Sequence, residues 1–399
     1  MQLVNTTLKN NVLKSMAQLL DRERKHIISE NKKDLEAFDK DDQALYDRLV
    51  VDTAKVDDMI RAVEEVRKQD DPVGQVISEL TLNNGLQVNN KTAPFGTLMI
   101  IYESRPDITI EAAVLAFKAS NKIYLKGGKE AYHSNVILEK LWHEALQENG
   151  QGKEWITLLH LSREDTQEFL KNPPEPLDLI VPRGGERLIA FVKQHAKGAV
   201  LVSGRGNNFL YIAEDADWEK TLNVIINAKT DKISACNALD KVLINKNIPG
   251  YTEKLQDLEK ILQQANVNLL VDDKVGATLT QAARILREDT WYEEFLELKL
   301  LLAEVADIDE AIKKINTYSG GHSAAIMTAA TEQAKTFMEQ VDSAAVYHNA
   351  STRFTDGGQM GVGAELAIST DKLHHRGPLG LKQLVTNKYY VYGDGHIRN

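Results

Sequence analysis

Apolar residues recur at three- and four-residue intervals through the first seventy positions. Leu8, Val12, Met16, Leu19 and Leu20 share one helical face, and Val56, Met59, Ile60, Val63 and Val66 share another. The pattern stops at Asp70-Asp71-Pro72-Val73-Gly74, because proline cannot continue a helix and glycine loosens the chain. From about Val76 to Lys91 the period changes to two. Leu80 and Leu82 alternate with polar residues, Asn84-Gly85 follows, and Leu86 and Val88 alternate again. This predicts a hairpin with a type I′ turn, since Asn-Gly supplies the positive φ angles such a turn requires.

From Thr97 onward, short apolar runs alternate with amphipathic stretches. Strands are predicted at Thr97–Tyr102, Lys122–Leu125, Trp155–Leu159, Leu177–Val181, Ala199–Val202 and Phe209–Ile212. Helices fall between them, at Ile108–Lys118, Ser134–Leu146, Arg187–His195 and Trp218–Ala228 among others. Parallel neighbours need a crossover, so repeated β-then-α units predict a doubly wound parallel sheet that binds ligands at the carboxyl ends of its strands. After Cys236 the alternation restarts, with strands at Lys241–Ile244, Asn268–Val271, Lys299–Val305, Ala324–Met327 and Ala344–Asn349. A second α/β unit follows. A last strand, Lys388–Val391, precedes a Gly-Asp-Gly turn.

Two units also suit a chain of 399 residues, which is long for one core. Its 43% hydrophobic and 27% charged content is that of a soluble globular protein. A net charge of −10 argues against general binding to nucleic acid or to anionic membranes, while leaving room for a local basic pocket. No run approaches the roughly 20 apolar residues of a membrane span, and Lys and Asn interrupt every apolar run near the N-terminus, so the cytoplasm is the expected compartment. One cysteine excludes an internal disulfide and a multi-cysteine zinc site.

Four strand-to-loop junctions carry candidate chemistry. Leu98–Ile101 runs into Tyr102-Glu103-Ser104-Arg105-Pro106, placing Ser104 and Arg105 at a strand's carboxyl end, with Asp107 as a first-turn acid of the next helix. Ile123–Leu125 leads into Lys126-Gly127-Gly128, and Leu177–Val181 into Pro182-Arg183-Gly184-Gly185. Leu201-Val202 leads into Ser203-Gly204-Arg205-Gly206-Asn207. Glycines admit backbone N–H groups to a phosphate, and lysine adds a point charge. Each junction alone reads as a tight turn; three glycine-rich junctions together weaken that reading. Cys236 lies in a polar loop with two lysines near it, where positive charge favours the nucleophilic thiolate, yet composition leaves reactive and inert readings even. Asn349-Ala-Ser-Thr-Arg-Phe-Thr-Asp is dense in hydrogen-bonding groups, which suits an anionic ligand or a loop that caps itself. His374-His375 lacks a carboxylate at metal-ligand spacing, so no metal is expected.

Taken in order, IYESRPDITIEAA (101–113), LKGGKEAYHSN (125–135), DLIVPRGG (178–185), NAKTDKISACNAL (227–239), GGHSAAIMT (320–328) and VYHNASTRFTDGGQMGVGAELAISTDKLHHRGPLGL (346–381) resemble the gamma-glutamyl phosphate reductase family of the aldehyde dehydrogenase superfamily. The resemblance spans nearly the whole chain. It implies an aldehyde dehydrogenase-like fold, with an NADPH-binding domain from 1–75, 93–230 and about 370–383, a catalytic domain at 231–369, and a small β oligomerisation element from 76–92 with 384–399.

It further implies NADPH-dependent reduction of L-glutamyl 5-phosphate to L-glutamate 5-semialdehyde in proline biosynthesis, through a thioester on Cys236. Ser104 and the Cys236 backbone N–H would stabilise the oxyanion. Lys126, Gly127, Gly128, Arg183, Gly184, Gly185, Gly204 and Glu294 would bind the cofactor, with Lys126 near the 2′-phosphate and Glu294 at the nicotinamide ribose. Arg105, Asn349, Ser351, Thr352 and Arg353 would hold the substrate. A homo-oligomer, dimer or tetramer, is expected; direct contact with glutamate 5-kinase, which makes the unstable acyl phosphate, is left open by the sequence. Where many relatives carry Glu-Thr-Gly-Val-Gly-Asn, this chain has Val202-Ser203-Gly204-Arg205-Gly206-Asn207. Val202 cannot act as the base of a hydrolytic water, which fits the reductive direction; Arg205 is an added cation with no assigned role. Coenzyme A in place of phosphate, or a non-catalytic scaffold, are the alternatives.

Overall fold

The computed structural model describes residues 4–38, 43–280 and 282–398. Its helices are α1 (Thr6–Arg22), α2 (Arg24–Ala37), α3 (Gln43–Leu49), α4 (Thr53–Lys68), α5 (Asp107–Lys118), α6 (Tyr132–Glu148), α7 (Arg163–Lys171), α8 (Glu186–His195), α9 (Trp218–Thr230), α10 (Tyr251–Gln264), α11 (Asp273–Gly276), α12 (Ile308–Tyr318) and α13 (Thr331–Gln340). Its strands are β1 (Val76–Thr81), β2 (Gln87–Pro94), β3 (Thr97–Tyr102), β4 (Lys122–Lys126), β5 (Ile156–Leu158), β6 (Leu179–Arg183), β7 (Asn208–Ile212), β8 (Leu239–Asn245), β9 (Asn268–Val271), β10 (Ala283–Arg284), β11 (Lys299–Val305), β12 (Ser323–Met327), β13 (Ala345–His348), β14 (Glu365–Ser369), β15 (Gly377–Gly380) and β16 (Val385–Tyr392). They form two compact units, residues 1–202 with 361–367 and 379–399, and residues 203–360 with 368–378.

The first unit is built on a parallel sheet in the order β5-β4-β3-β6. Its central strand is apolar without interruption because both faces are covered. Leu98, Ile100 and Tyr102 join one core with α1, α4, α5 and α6, while Met99 and Ile101 join another with Leu170 of α7 and Val192 of α8. α5 is buried nearly all round, as its run of Ala112 to Phe117 requires. β6 extends two residues beyond its expected end and takes in Pro182. It is an edge strand, where a missing N–H costs no ladder bond. Ala199–Val202, expected as a strand, makes a single bridge, Val200 to Ile180, before the glycine-rich stretch ends it.

β1, β2 and β16 form a separate antiparallel sheet. Its turn differs from the expected type I′. Gly85 takes φ +87° and Asn84 is not left-handed. Leu82 accepts from the Gly85 N–H (2.8 Å) and donates to the Leu86 carbonyl (2.9 Å), enclosing the three residues Asn83–Gly85. With one extra residue, only the last position must be left-handed, as in a type I turn closed by a glycine bulge.

The second unit carries a parallel seven-stranded sheet, β10-β9-β11-β8-β7-β12-β13. β7 lies inside this sheet, between β8 and β12, and α9 packs on β8. The unit boundary therefore falls near residue 202 rather than near 230: strand pairing groups β7 with later strands, which spacing along the chain does not reveal.

Helix α6 begins at Tyr132 without a side-chain cap of its own. Asp34 of α2, buried, supplies one, accepting from the His133 N–H (2.9 Å), the Ser134 N–H (2.8 Å) and the Ser134 hydroxyl (2.6 Å). Asp34→Ala leaves those donors buried and unpaired. It is expected to cost about 3 kcal/mol, read from the shift of the urea unfolding midpoint at constant slope.

Candidate functional site

In the first unit, β3 is followed by β4 on one side, and the chain later returns to β6 on the other. The sheet's topological switch point is thus between β3 and β6, and a ligand crevice belongs at their carboxyl ends. Ser104 and Arg105 leave one of these strands and Gly184 and Gly185 the other. A Cβ on Gly184 would lie 2.8 Å from the Glu103 carboxylate and from Leu188, so these side chains close over the glycine. Gly185 caps α8 with nothing within 4 Å of its Cβ position, leaving a helix N-terminus that a pyrophosphate could approach. Arg183 donates to the Leu366 carbonyl.

Ser104 is buried and holds φ +40°, strained for a residue with a side chain. Its N–H (2.7 Å) and hydroxyl (2.8 Å) both donate to Glu130 Oε1. Glu130, absent from the sequence-derived set, follows the Lys126-Gly127-Gly128 turn. A Cβ on Gly128 would sit 1.9 Å from its carboxylate, and one on Gly127 would sit 2.3 Å from the Asn135 amide. These two glycines make room for the protein's own side chains. Arg105 pairs with Asp107 (2.9 Å), which Lys55 also reaches (3.0 Å). Burial alone would raise the Asp107 carboxyl, but the two cations outweigh it and hold it below its usual range.

Beside this turn is a cavity of about 170 Å³ lined by Lys126, Gly127, Gly128, Lys129 and His160, among others. Burial holds the Lys126 ammonium below its ordinary value, and an incoming anion would be favoured there. Lys129 and His160 carry no periodic or glycine signal that marks them in the sequence.

The second unit places its candidate chemistry at the opposite ends of its strands. Cys236, half-buried, precedes the first residue of β8. The buried Asn208 carboxamide, at the start of β7, donates to the carbonyls of Cys236 (2.8 Å), Gly206 (3.0 Å) and Ala238 (2.7 Å). It also accepts from the Ser323 N–H at the start of β12 (3.0 Å). A Cβ on Gly206 would fall 2.5 Å from the Cys236 Cα, so the cysteine loop lies directly on glycine. Gly204 similarly faces the Gly320 carbonyl and Thr370.

The loop after β13 is divided. Asn349 pairs with both backbone groups of Thr328, at the carboxyl ends of β12 and β13, away from the amino ends where Cys236 sits. Thr352, buried, donates to the Asn237 carbonyl (2.8 Å). Asn237 in turn donates to the carbonyls of Arg353 (3.1 Å) and Thr355 (2.9 Å). Ser351 caps the turn by accepting from the Arg353 N–H. These hydrogen bonds follow the self-capping alternative: the side chains of Asn349, Ser351 and Thr352 shape the loop, and the structure joins 351–355, but not Asn349, to the residue after Cys236. The Arg353 guanidinium makes two 3.0 Å contacts to Asp231.

Of the two lysines near Cys236 in sequence, Lys229 and Lys232, the second is exposed, while Lys229 is fully buried and pairs with Asp240 (2.8 Å). Lys241, also fully buried, donates to the Glu293 carbonyl (2.7 Å) and lies 3.6 Å above the Phe295 ring. Burial pushes its ammonium down to about 7, against the pull of Asp240. Glu294 lies half-buried between those two contacts.

A model of the aldehyde dehydrogenase family matches residues 299–365. The chain is similar to gamma-glutamyl phosphate reductase of Dictyoglomus thermophilum, 39% identical over 400 residues, covering 100% of this chain and 96% of that protein. It is also similar to the crystal structure of gamma-glutamyl phosphate reductase from Thermotoga maritima, with a TM-score of 0.95 and 39% identity over 99% of this chain and 95% of that one. An acetylating aldehyde dehydrogenase from Geobacillus thermoglucosidasius shares the fold, with a TM-score of 0.69 at 17% identity over 99% and 94% of the two chains.

Lys241 gives a pH signature. Its folded value of about 7 lies below the ordinary 10.5, so between these limits the unfolded chain binds more protons and stability rises with pH. The cost of burial is felt in full below pH 7. From pH 7 to pH 9 the wild type is expected to gain on the order of 2 kcal/mol relative to Lys241→Met. Parallel unfolding free energies for the two proteins across that range would refute the shift.

Proposed function

This chain belongs to the gamma-glutamyl phosphate reductase family, oxidoreductases of the aldehyde dehydrogenase type, and from that premise we propose that it reduces L-glutamyl 5-phosphate to L-glutamate 5-semialdehyde with NADPH, through a thioester on Cys236. The observation that carries this reading is a partly accessible cysteine whose backbone is held on one side by Asn208 and pressed on the other by Gly206. A nucleophile held this way meets the positional demand of covalent catalysis, where displacement by about 1 Å costs on the order of 10²-fold.

The Cys236 thiolate attacks the γ-carbonyl carbon, and the tetrahedral oxyanion collapses with cleavage of the carbon–oxygen bond to phosphate. The phosphate leaves with the electron pair, and an acyl thioester remains. NADPH, when bound, supplies the hydride that takes this thioester to the aldehyde oxidation level. The thiolate then leaves with its bonding pair, releasing the semialdehyde and restoring Cys236. The Cys236 backbone N–H would serve as an oxyanion donor, and the Ser104 hydroxyl, which donates to Glu130, would have to release it to serve as well.

Residues of the first unit suit the cofactor. The cavity lined by Lys126 and Lys129 fits the 2′-phosphate, and the open N-terminus of α8 at Gly185 fits the pyrophosphate. Arg105 and Arg353 supply cations for the substrate's carboxylate and phosphate. Each keeps guanidinium donors beyond those facing Asp107 and Asp231. A catalytic thiol outside any disulfide suits a reducing compartment such as the cytoplasm.

Run in reverse with L-glutamate 5-semialdehyde, the enzyme is expected to reduce NADP only when phosphate is present, and coenzyme A is not expected to replace it. Cys236→Ala should abolish this turnover while leaving NADPH affinity within about twofold. Phosphate-independent turnover, or an active Cys236→Ala protein, would overturn the assignment.

The sheet of β1, β2 and β16 exposes Val76, Leu80, Tyr389 and Val391, each more than half accessible. So small a sheet is marginal alone, and a second copy of the chain is the partner we assign to it. Sedimentation equilibrium should report at least twice the 44.6 kDa chain mass, and Leu80→Lys together with Val391→Lys should return a monomer.

A further inference from the structure

The segment from Trp291 to Phe295 belongs to no strand and no α-helix; a single 3₁₀ turn, Glu288–Trp291, precedes it. Its position is set by side chains from elsewhere in the second unit. Asn207 Nδ2 donates to the Trp291 carbonyl (2.7 Å) and Arg205 Nη1 to the Tyr292 carbonyl (2.9 Å). Lys241 Nζ donates to the Glu293 carbonyl (2.7 Å), and Asp240 Oδ2 accepts from the Phe295 N–H (2.9 Å). Two aromatic anchors reinforce these four grips. Trp291 lies between Phe209 and Tyr318, and Phe295 lies beneath Lys241. Immediately beyond, Leu296 holds φ +53°, a left-handed conformation that costs a side-chain-bearing residue about 1–3 kcal/mol and persists only where surroundings impose it. The backbone is thus held on both sides of Glu294, by residues one to five positions from Cys236 or its supporting glycine.

We propose that Arg205, Asn207, Asp240 and Lys241 are positioning residues that present the Glu294 carboxylate to the nicotinamide ribose, so that this segment's placement, and with it cofactor binding, is set by the same strand entrances, of β7 and β8, that hold Cys236. The inference rests on the reading that Glu294 contacts the cofactor. It gives Arg205 a role: its guanidinium reaches the one carbonyl in the 291–293 run that neither β8 nor Asn207 can hold.

Arg205 is exposed, which makes it the substitution least prone to disturb folding, whereas Asp240 and Lys241 are buried. Arg205→Met is expected to raise the KM for NADPH about fivefold, the worth of one hydrogen bond, with kcat and the KM for L-glutamate 5-semialdehyde in the reverse assay within about twofold. Arg205→Lys, which can still donate, should recover most of the loss. Glu294→Gln should raise the same KM by at least as much. In the double variant the Arg205 effect should disappear, since a positioning residue has nothing left to position. Full additivity of the two substitutions would overturn the proposal, as would an Arg205→Met protein of unchanged KM. An unchanged KM in Glu294→Gln would instead remove the cofactor-contact reading beneath it, and the proposal with it.

Discussion

One buried carboxamide holds the strand entrances beside Cys236 in register. Asn208 sits where β7 begins, donates to the carbonyls of Gly206, Cys236 and Ala238, and accepts from the N–H of Ser323. It joins the amino ends of three adjacent strands, β8, β7 and β12, at the point where the chain enters each of them. Backbone groups entering a sheet have no ladder partner, and leaving them unpaired in a buried place costs about 1–3 kcal/mol each. A side chain bearing both donor and acceptor satisfies several at once, and it places Cys236 as a by-product of completing the sheet. An aspartate in its place could accept but not donate.

The two units use their sheets in opposite senses. In the first, Ser104, Arg105, Lys126 and the Gly184-Gly185 turn gather at carboxyl ends around a strand-order switch, as open α/β sheets predict. In the second, Cys236, Gly206, the 291–295 segment and the 351–355 loop gather at amino ends. The carboxyl-end rule follows from helix N-termini pointing at anionic ligands. The proposed covalent centre would have a different requirement, a rigid turn with close backbone packing, and Gly206 beside a strand entrance provides such a turn.

Many polar residues that look like ligand-binding groups are occupied with architecture. Asn349 completes the hydrogen bonding of Thr328, Thr352 that of Asn237, and Ser104 rests on Glu130. Lys229 neutralises Asp240 in the interior; breaking such a pair by removing one partner strands a buried charge and costs several kcal/mol. The second unit therefore carries a network of buried polar contacts beside Cys236, and the rigidity it gives is what the proposed thioester chemistry would require.

Much was legible without coordinates. Periodicity marked the N-terminal helices, the β-then-α alternation and the two parallel sheets, because burial on one face or two leaves a local imprint on the order of residues. The specific stretches around Cys236 and 346–381 pointed to the family. Strand order was not legible: β7 follows the first unit in sequence yet lies inside the second sheet, and only hydrogen bonding between distant segments decides that. The same holds for Glu130 beneath Ser104, for Asn208 behind Cys236, and for the grips of Arg205 and Lys241 on the segment bearing Glu294. These are contacts between residues 26 to 87 positions apart, and nothing in the local alternation of apolar and polar side chains encodes which partner a buried donor will find.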